Sequence, residues 1–295
     1  MSVFCFGEIL VDCLGSERLP GGAPANVACH VAALGERTAL VSRVGDDADG
    51  RRLTDWLKER GVGSELVQTD EFHPTGTVLV REGPRYEITE FAAWDFLEPT
   101  DANRQAATNA DAVVFGTLAQ RQPVSRGTIR TLVAAARAAG VPALCDLNLR
   151  PPFYDEEAVL WSLRNCDLLK LNAEELEVVS RLLHAQGEAT DLFAGLLREF
   201  SIPRGVLTCG EGGAWLYEDA ETWHQPAANP ETFVDAVGAG DAFTAVVAVA
   251  LQRGLSLRQA GPAAAELSAY VVSRPGGTPL VPHELAARVN SMLAA

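Results

Sequence analysis

Lysine is almost missing from this chain of 295 residues: it occurs only at Lys58 and Lys170, so arginine carries nearly all the positive charge. The formal net charge is −15 and basic residues nowhere form a block. Nucleic-acid backbones and anionic membrane surfaces need clustered Lys and Arg, so neither is an expected partner, and an anionic ligand has to be met locally. No Gly-x-x-x-x-Gly-Lys-Ser/Thr stretch is present, which excludes the P-loop way of holding ATP. Nor does the first predicted strand-to-helix turn, Gly7-Glu8-Ile9-Leu10, carry the Gly-x-Gly-x-x-Gly of dinucleotide-binding folds. Cys5, Cys13, Cys29, Cys145, Cys166 and Cys209 include no Cys-x-x-Cys pair, so reduced thiols are expected rather than disulfides or zinc ligands. Apolar runs fall short of the roughly 20 residues of a membrane span, and the N-terminus lacks the basic start of a signal peptide. A cytoplasmic location is the expectation.

What is present is a large apolar fraction, 47%, enough for one sizeable core over residues 1–295. Short apolar runs alternate with helical patterns and glycine stops. Val3–Asp12, Thr38–Val44, Ala112–Gly116, Ala143–Asp146, Asp167–Leu171 and Gly205–Cys209 read as strands. Helices are predicted after Asn26, from Asp47 to Arg60, over Val124–Ala139 and Ser256–Val272, and from near Pro282. That alternation predicts an α/β fold: a doubly wound, mainly parallel sheet in an α-β-α sandwich. Thr75–Phe91, with a Gly83-Pro84 turn, reads instead as an antiparallel hairpin. It predicts a small β lid contributed by about 13–20 and 70–96. Trp94, just after it, fits either the core or the wall of a pocket.

The chemistry concentrates on loops. Asp235-Ala236-Val237-Gly238-Ala239-Gly240-Asp241 is a small-residue loop opening a long apolar helix, where free N–H groups attract an anion and Asp241 can accept a proton. Gly21-Gly22 precedes a helix that begins near Asn26. Asp12 ends a predicted strand, where a carboxylate binds a polyol or caps a turn. Prolines 151 and 152 keep Asp146, Asn148 and Arg150 on a loop at the end of a strand. Asn172 and Glu175 match a capping box as well as a binding motif. Gly210–Gly213 suits either a nucleotide lying on backbone or a hairpin turn. Nearly all of these follow predicted strands, and in a doubly wound sheet such loops converge on one edge.

Two stretches in this order, Gly21-Gly22-Ala23-Pro24-Ala25-Asn26-Val27-Ala28 and Asp235–Phe243, with Asn172-x-x-Glu175 between them, make the chain resemble the PfkB (ribokinase-like) carbohydrate kinases. The resemblance runs from Gly7 to about Pro282 and is greatest to the fructokinase branch, whose Asp-Pro-Asn-x-Arg element is similar to Asp146-Leu147-Asn148-Leu149-Arg150, with Leu147 where Pro is usual. It implies an ATP-dependent kinase acting on a primary hydroxyl of a small sugar, fructose first, with ribose, 2-keto-3-deoxygluconate and nucleosides behind. It further implies Asp241 as catalytic base, Gly238, Ala239 and Gly240 as anion hole, and Arg150 as a charge near the phosphoryl group or the sugar. Sugar contacts fall on Asp12, Gly22, Asn26 and Trp94, and nucleotide contacts on Thr208, Gly210, Gly213 and Gly277. Mg²⁺ is expected at Asn172 and Glu175 through water, and K⁺ at Asp235, although Ala236 stands where the family often has Thr. Oligomeric state stays open between a monomer and a homodimer paired through the lid. A non-catalytic sugar- or nucleotide-binding regulator is the alternative of another class; replacement of Asp241 or a broken Gly238–Gly240 would mark it, and both are intact.

Overall fold

A computed structural model describes residues 1–15, 17–80 and 86–294. In chain order the strands are β1 (Ser2–Phe6), β2 (Leu10–Leu14), β3 (Glu17–Gly21), β4 (Arg37–Gly45), β5 (Val67–Asp70), β6 (Gly76–Val80), β7 (Tyr86–Ile88), β8 (Ala112–Phe115), β9 (Ala143–Asp146), β10 (Leu168–Asn172), β11 (Arg204–Thr208), β12 (Ala214–Glu218) and β13 (Glu221–Gln225). The helices are α1 (Ala23–Ala33), α2 (Ala48–Glu59), α3 (Asp101–Asn109), α4 (Pro123–Ala138), α5 (Glu156–Arg164), α6 (Ala173–Leu182), α7 (Ala189–Glu199), α8 (Ala239–Gln252), α9 (Leu257–Val272) and α10 (His283–Leu293).

Nine strands form the main sheet in the order β13-β12-β11-β10-β9-β8-β1-β4-β5. From β11 to β5 all neighbours run parallel, while β12 and β13 add an antiparallel edge. Its central strands are apolar on both faces, as a sheet covered on both sides requires. Successive side chains of β1 enter different cores: Val3 and Cys5 pack with α1, α2, α8, α9 and α10, whereas Phe4 and Phe6 pack with α3 to α7. Each fully buried Leu, Val or Phe in these two layers stabilises the fold by about 1.5–3 kcal/mol. The architecture is the doubly wound α/β class expected from the alternation. All six cysteines are unpaired, five of them buried, and among the described residues no helix is long and apolar enough to cross a membrane.

The chain departs from the expected single strand Val3–Asp12. Gly7 has φ 149°, and a Cβ there would lie 2.6 Å from the Pro24 ring. The chain therefore turns off the main sheet after Phe6, and residues 10–14 enter a second sheet of order β3-β2-β6-β7. In it β2 runs parallel to β6, with β3 and β7 antiparallel to their neighbours. The predicted Gly83-Pro84 turn lies outside the described residues. Across this sheet Asp12 is paired with Val78, and Val78 with Ile88. Paired residues share a face, and Val78 and Ile88 are buried, so Asp12 sits on the covered side. An Arg18–Asp49 ion pair joins β3 to α2.

Candidate active site

From β1 the chain proceeds to β4 and β5 on one side of the main sheet, and later from β8 to β11 on the other. The order reverses between β1 and β8, and loops at the carboxyl ends of such strands form a crevice. Glu8 follows β1 there, Asp146 ends β9, and both line a narrow cavity with Gly116, Thr117 and Asn148. Helices α1 and α8 pack on the same face of the sheet.

Helix α8 begins at Gly238, whose φ of 76° is left-handed. A side chain at this position would overlap the Gly277 backbone, so the loop 235–240 and the loop after α9 lie backbone to backbone. Asp241 occupies the first turn, where the helix dipole favours a negative charge. Its Oδ2 accepts a 2.8 Å hydrogen bond from Asn26 Nδ2. Asn26 is placed by Gly22, the N-cap of α1, with φ 107° and a missing side chain that would meet the Glu8 carbonyl at 2.6 Å. Asn26 Oδ1 is buried and has no partner among the described residues. An amide that spends its donor on Asp241 and keeps a free buried acceptor is prepared for a hydroxyl.

Carboxylates crowd this place. Burial pushes Asp12 up to about 6, with the Asp241 charge adding and Arg150 opposing. Burial likewise pushes Glu8 up to about 7, although the Ala23 N–H and Arg150 favour its charged form. Asp241 is held above the ordinary carboxylate range by burial and by Asp146, against its bond from Asn26 and the charges of Lys170 and Arg150. Asp12, Asn26, Arg150 and Asp241, from four separate stretches, thus come together.

Beneath them lies a buried ion pair. Lys170 Nζ is 3.0 Å from both Asp146 oxygens, and Thr244 Oγ1 donates to Asp146 Oδ2 at 2.6 Å. Burial alone would lower the Lys170 pKa; the carboxylates of Asp146 and Glu175 outweigh it and hold it raised. Nζ is also 3.0 Å from where a Gly240 side chain would begin, so the cation sits directly under the small-residue loop. Glu8, Lys170 and Thr244 were not singled out from the sequence as site residues. The available signal was a charged residue inside an apolar run, Leu168-Leu169-Lys170-Leu171, since a buried charge requires a partner.

The remaining predicted positions divide. Asn172 and Glu175 form a complete capping box, and Glu175 Oε1 additionally accepts from Leu149 N–H at 2.8 Å. Both Glu175 oxygens are thus engaged, and among the described residues no cluster of three acidic, His or Cys side chains could hold a metal. These residues fit a hydrated Mg²⁺ touched through water, not a direct protein cage. Asp235 uses Oδ1 to accept from Val237 N–H at 2.8 Å and Oδ2 to accept from Gly276 N–H at 3.3 Å. Thr208 ends β11, and Gly210 and Gly213 bound the short turn before β12. Gly277 lies against Gly238 and Asn26. Trp94 is 1% exposed, with Gly76 over its indole and the Arg121 guanidinium 4.0 Å from the ring centre, and its Nε1 has no partner among the described residues. Arg121 is itself paired with Asp95, and the cluster is core.

Comparison with known proteins gives the same answer from the whole chain. The model of the pfkB family carbohydrate kinases matches residues 3–284. Fructokinase from Klebsiella pneumoniae is 32% identical over 264 residues, covering 82% of each chain. Aminoimidazole riboside kinase from Salmonella enterica, solved with aminoimidazole riboside and an ATP analogue, superposes with a TM-score of 0.83 at 24% identity over 99% of this chain and 100% of that one. A double-mutant fructokinase from Vibrio cholerae bound to fructose, ADP and potassium ion gives 0.81 at 24% identity, covering 99% and 98%. With the match extending over nearly its full length, the chain belongs to the PfkB family of carbohydrate kinases and is a phosphotransferase.

Proposed function

We propose that this kinase transfers the γ-phosphoryl group of ATP to a primary hydroxyl of a small, uncharged sugar, with fructose the leading acceptor. The observation that carries the reading is the Asn26–Asp241 bond, which sets a base beside a buried amide oxygen that still lacks a donor. A sugar hydroxyl donating to Asn26 Oδ1, with its neighbours on Asp12, would present the reacting hydroxyl to Asp241. Asp241 removes the proton as the O–P bond forms; a positioned base contributes about 10²–10⁴-fold. The raised position of its carboxyl makes it a better proton acceptor than an exposed aspartate. The N–H groups at the start of α8 and the cation of Lys170 beneath Gly240 face the charge gathering on the phosphate. Arg150, which acts electrostatically on Glu8, Asp12 and Asp241, adds positive charge to the same place.

Asn172 and Glu175 would hold Mg²⁺ through water, and the bound ion would neutralise the nucleotide phosphates. Asp235 borders the loop where K⁺ would lie. The second sheet carries Asp12 on its covered face and serves as the lid that excludes water. The carboxyls of Glu8, Asp12 and Asp241 beside Arg150 disfavour an acceptor that is already negative, which supports fructose, ribose and nucleosides over the acid 2-keto-3-deoxygluconate. The test is ADP production from ATP over a panel of sugars, sugar acids and nucleosides, with Mg²⁺ and K⁺ varied, in parallel with Asp241→Asn. Turnover should require a neutral sugar and fall at least about 10²-fold in the variant. Preference for a sugar acid, or near-normal turnover in Asp241→Asn, would sink this assignment.

A further inference from the structure

His30 lies one helical turn beyond Asn26 on α1 and is completely buried. Residues four apart share a helix face, so both side chains look toward the loop that follows α9. His30 Nε2 lies 2.9 Å from the Gly277 carbonyl oxygen. A carbonyl only accepts, so Nε2 carries the hydrogen and donates. Gly277 is wedged: a side chain there would begin 3.1 Å from Asn26 Nδ2, and on its other side the Gly277 backbone fills the space where Gly238 lacks a side chain. Gly276 N–H, next in the chain, donates to Asp235 at the other end of the same loop. On the outer side a cavity of about 170 Å³ adjoins His30, Arg60, Thr278 and Leu280, so the segment is not pressed into place from outside.

We infer that His30 is a positioning residue for phosphoryl transfer: its Nε2–H fixes the Gly277 carbonyl, and Gly277 in turn sets Gly238 at the start of α8 and the Asn26 amide that orients Asp241. This rests on the reading of Gly238–Asp241 as the phosphoryl-transfer loop. Through Asn26 and His30, helix α1 then holds the base and the loop beside it in one register. Burial pushes the ring down to about 4, so it is neutral across the working range and acts as a fixed donor rather than a switch. Its Nδ1 has no partner among the described residues, so the whole hydrogen-bonding contribution of the ring goes to Gly277.

The test compares His30→Gln with His30→Met in the full chain. The two side chains have similar length, and only glutamine can donate from near the Nε2 position. Expected is a fall in kcat of about tenfold for methionine, equivalent to about 1.4 kcal/mol, with the sugar KM within about twofold, and recovery of most of the loss with glutamine. The melting shift produced by ATP with Mg²⁺ should follow the same order, smaller in the methionine variant and restored by glutamine; this readout needs no turnover, so it stands even if the sugar assignment fails. Equal kcat in the two variants, or a nucleotide-induced shift that ignores the donor, would overturn the inference. So would a loss confined to the melting temperature of the unliganded protein.

Discussion

Glu8→Gln should stabilise the protein at pH 8 and leave it nearly unchanged at pH 4. Glu8 follows directly on β1, is 3% exposed, and has the Ala23 N–H and the Arg150 charge in its favour but burial and Asp241 against it. The result is a carboxyl pushed from 4.5 to about 7. A group whose folded-state pKa is raised binds its proton more tightly in the native than in the unfolded chain. Its contribution is fully present below about pH 4.5 and is lost as pH rises through 7. A shift of about 2.5 pH units corresponds to about 3 kcal/mol at most. For 295 residues the unfolding entropy is roughly 0.6 kcal/mol per degree, so the loss is worth about 5 °C in Tm. Glutamine keeps an acceptor for Ala23 and has no proton to lose. Thermal melts of both proteins should therefore coincide near pH 4, part progressively from about pH 4.5, and reach most of their difference by about pH 7. A Tm difference that does not depend on pH, or a variant less stable at pH 8, would refute the reasoning.

Gly238→Ala combines a left-handed backbone, costing about 1–2 kcal/mol, with a methyl that overlaps Gly277. Turnover should drop at least about tenfold and Tm by a few degrees, measured by the coupled assay and calorimetry; normal kcat would show that the loop has no part in transfer. Arg150→Ala should lower kcat/KM with an unchanged melt, and, because Arg150 holds Asp12 down, the acid limb of kcat/KM should move to higher pH. A large fall in Tm would instead make Arg150 structural.

The ends of the site are legible in the sequence because backbone geometry makes them so. Gly22 and Gly238 hold positive φ at two helix starts, and glycine followed by an apolar helix announces such a start wherever it occurs. Strands β8 to β11 are legible for the same local reason, as apolar runs ended by polar loops. What escapes is everything settled by contacts between distant segments. Val3–Asp12 reads as one strand because periodicity records burial, not which sheet provides it; only the turn at Gly7 separates β1 from β2. Trp94 fits core and pocket equally until Arg121 and Gly76 close over it. Asn172 and Glu175 satisfy a capping box in full whatever else they do. Lys170 belongs to an apolar strand, and its partner Asp146 lies 24 residues earlier on the neighbouring one.

The crowding of carboxyls around one arginine also bears on how a catalytic cycle finishes. On the proposed reading the acceptor is neutral before transfer and meets Asp12 as a hydrogen-bonding partner. Afterwards, on that reading, the same molecule would carry a phosphate of nearly two negative charges beside the carboxyls of Asp12 and Asp241. The product would then be repelled by the groups that held its precursor. Binding of the sugar phosphate should be correspondingly weak, and product inhibition with it.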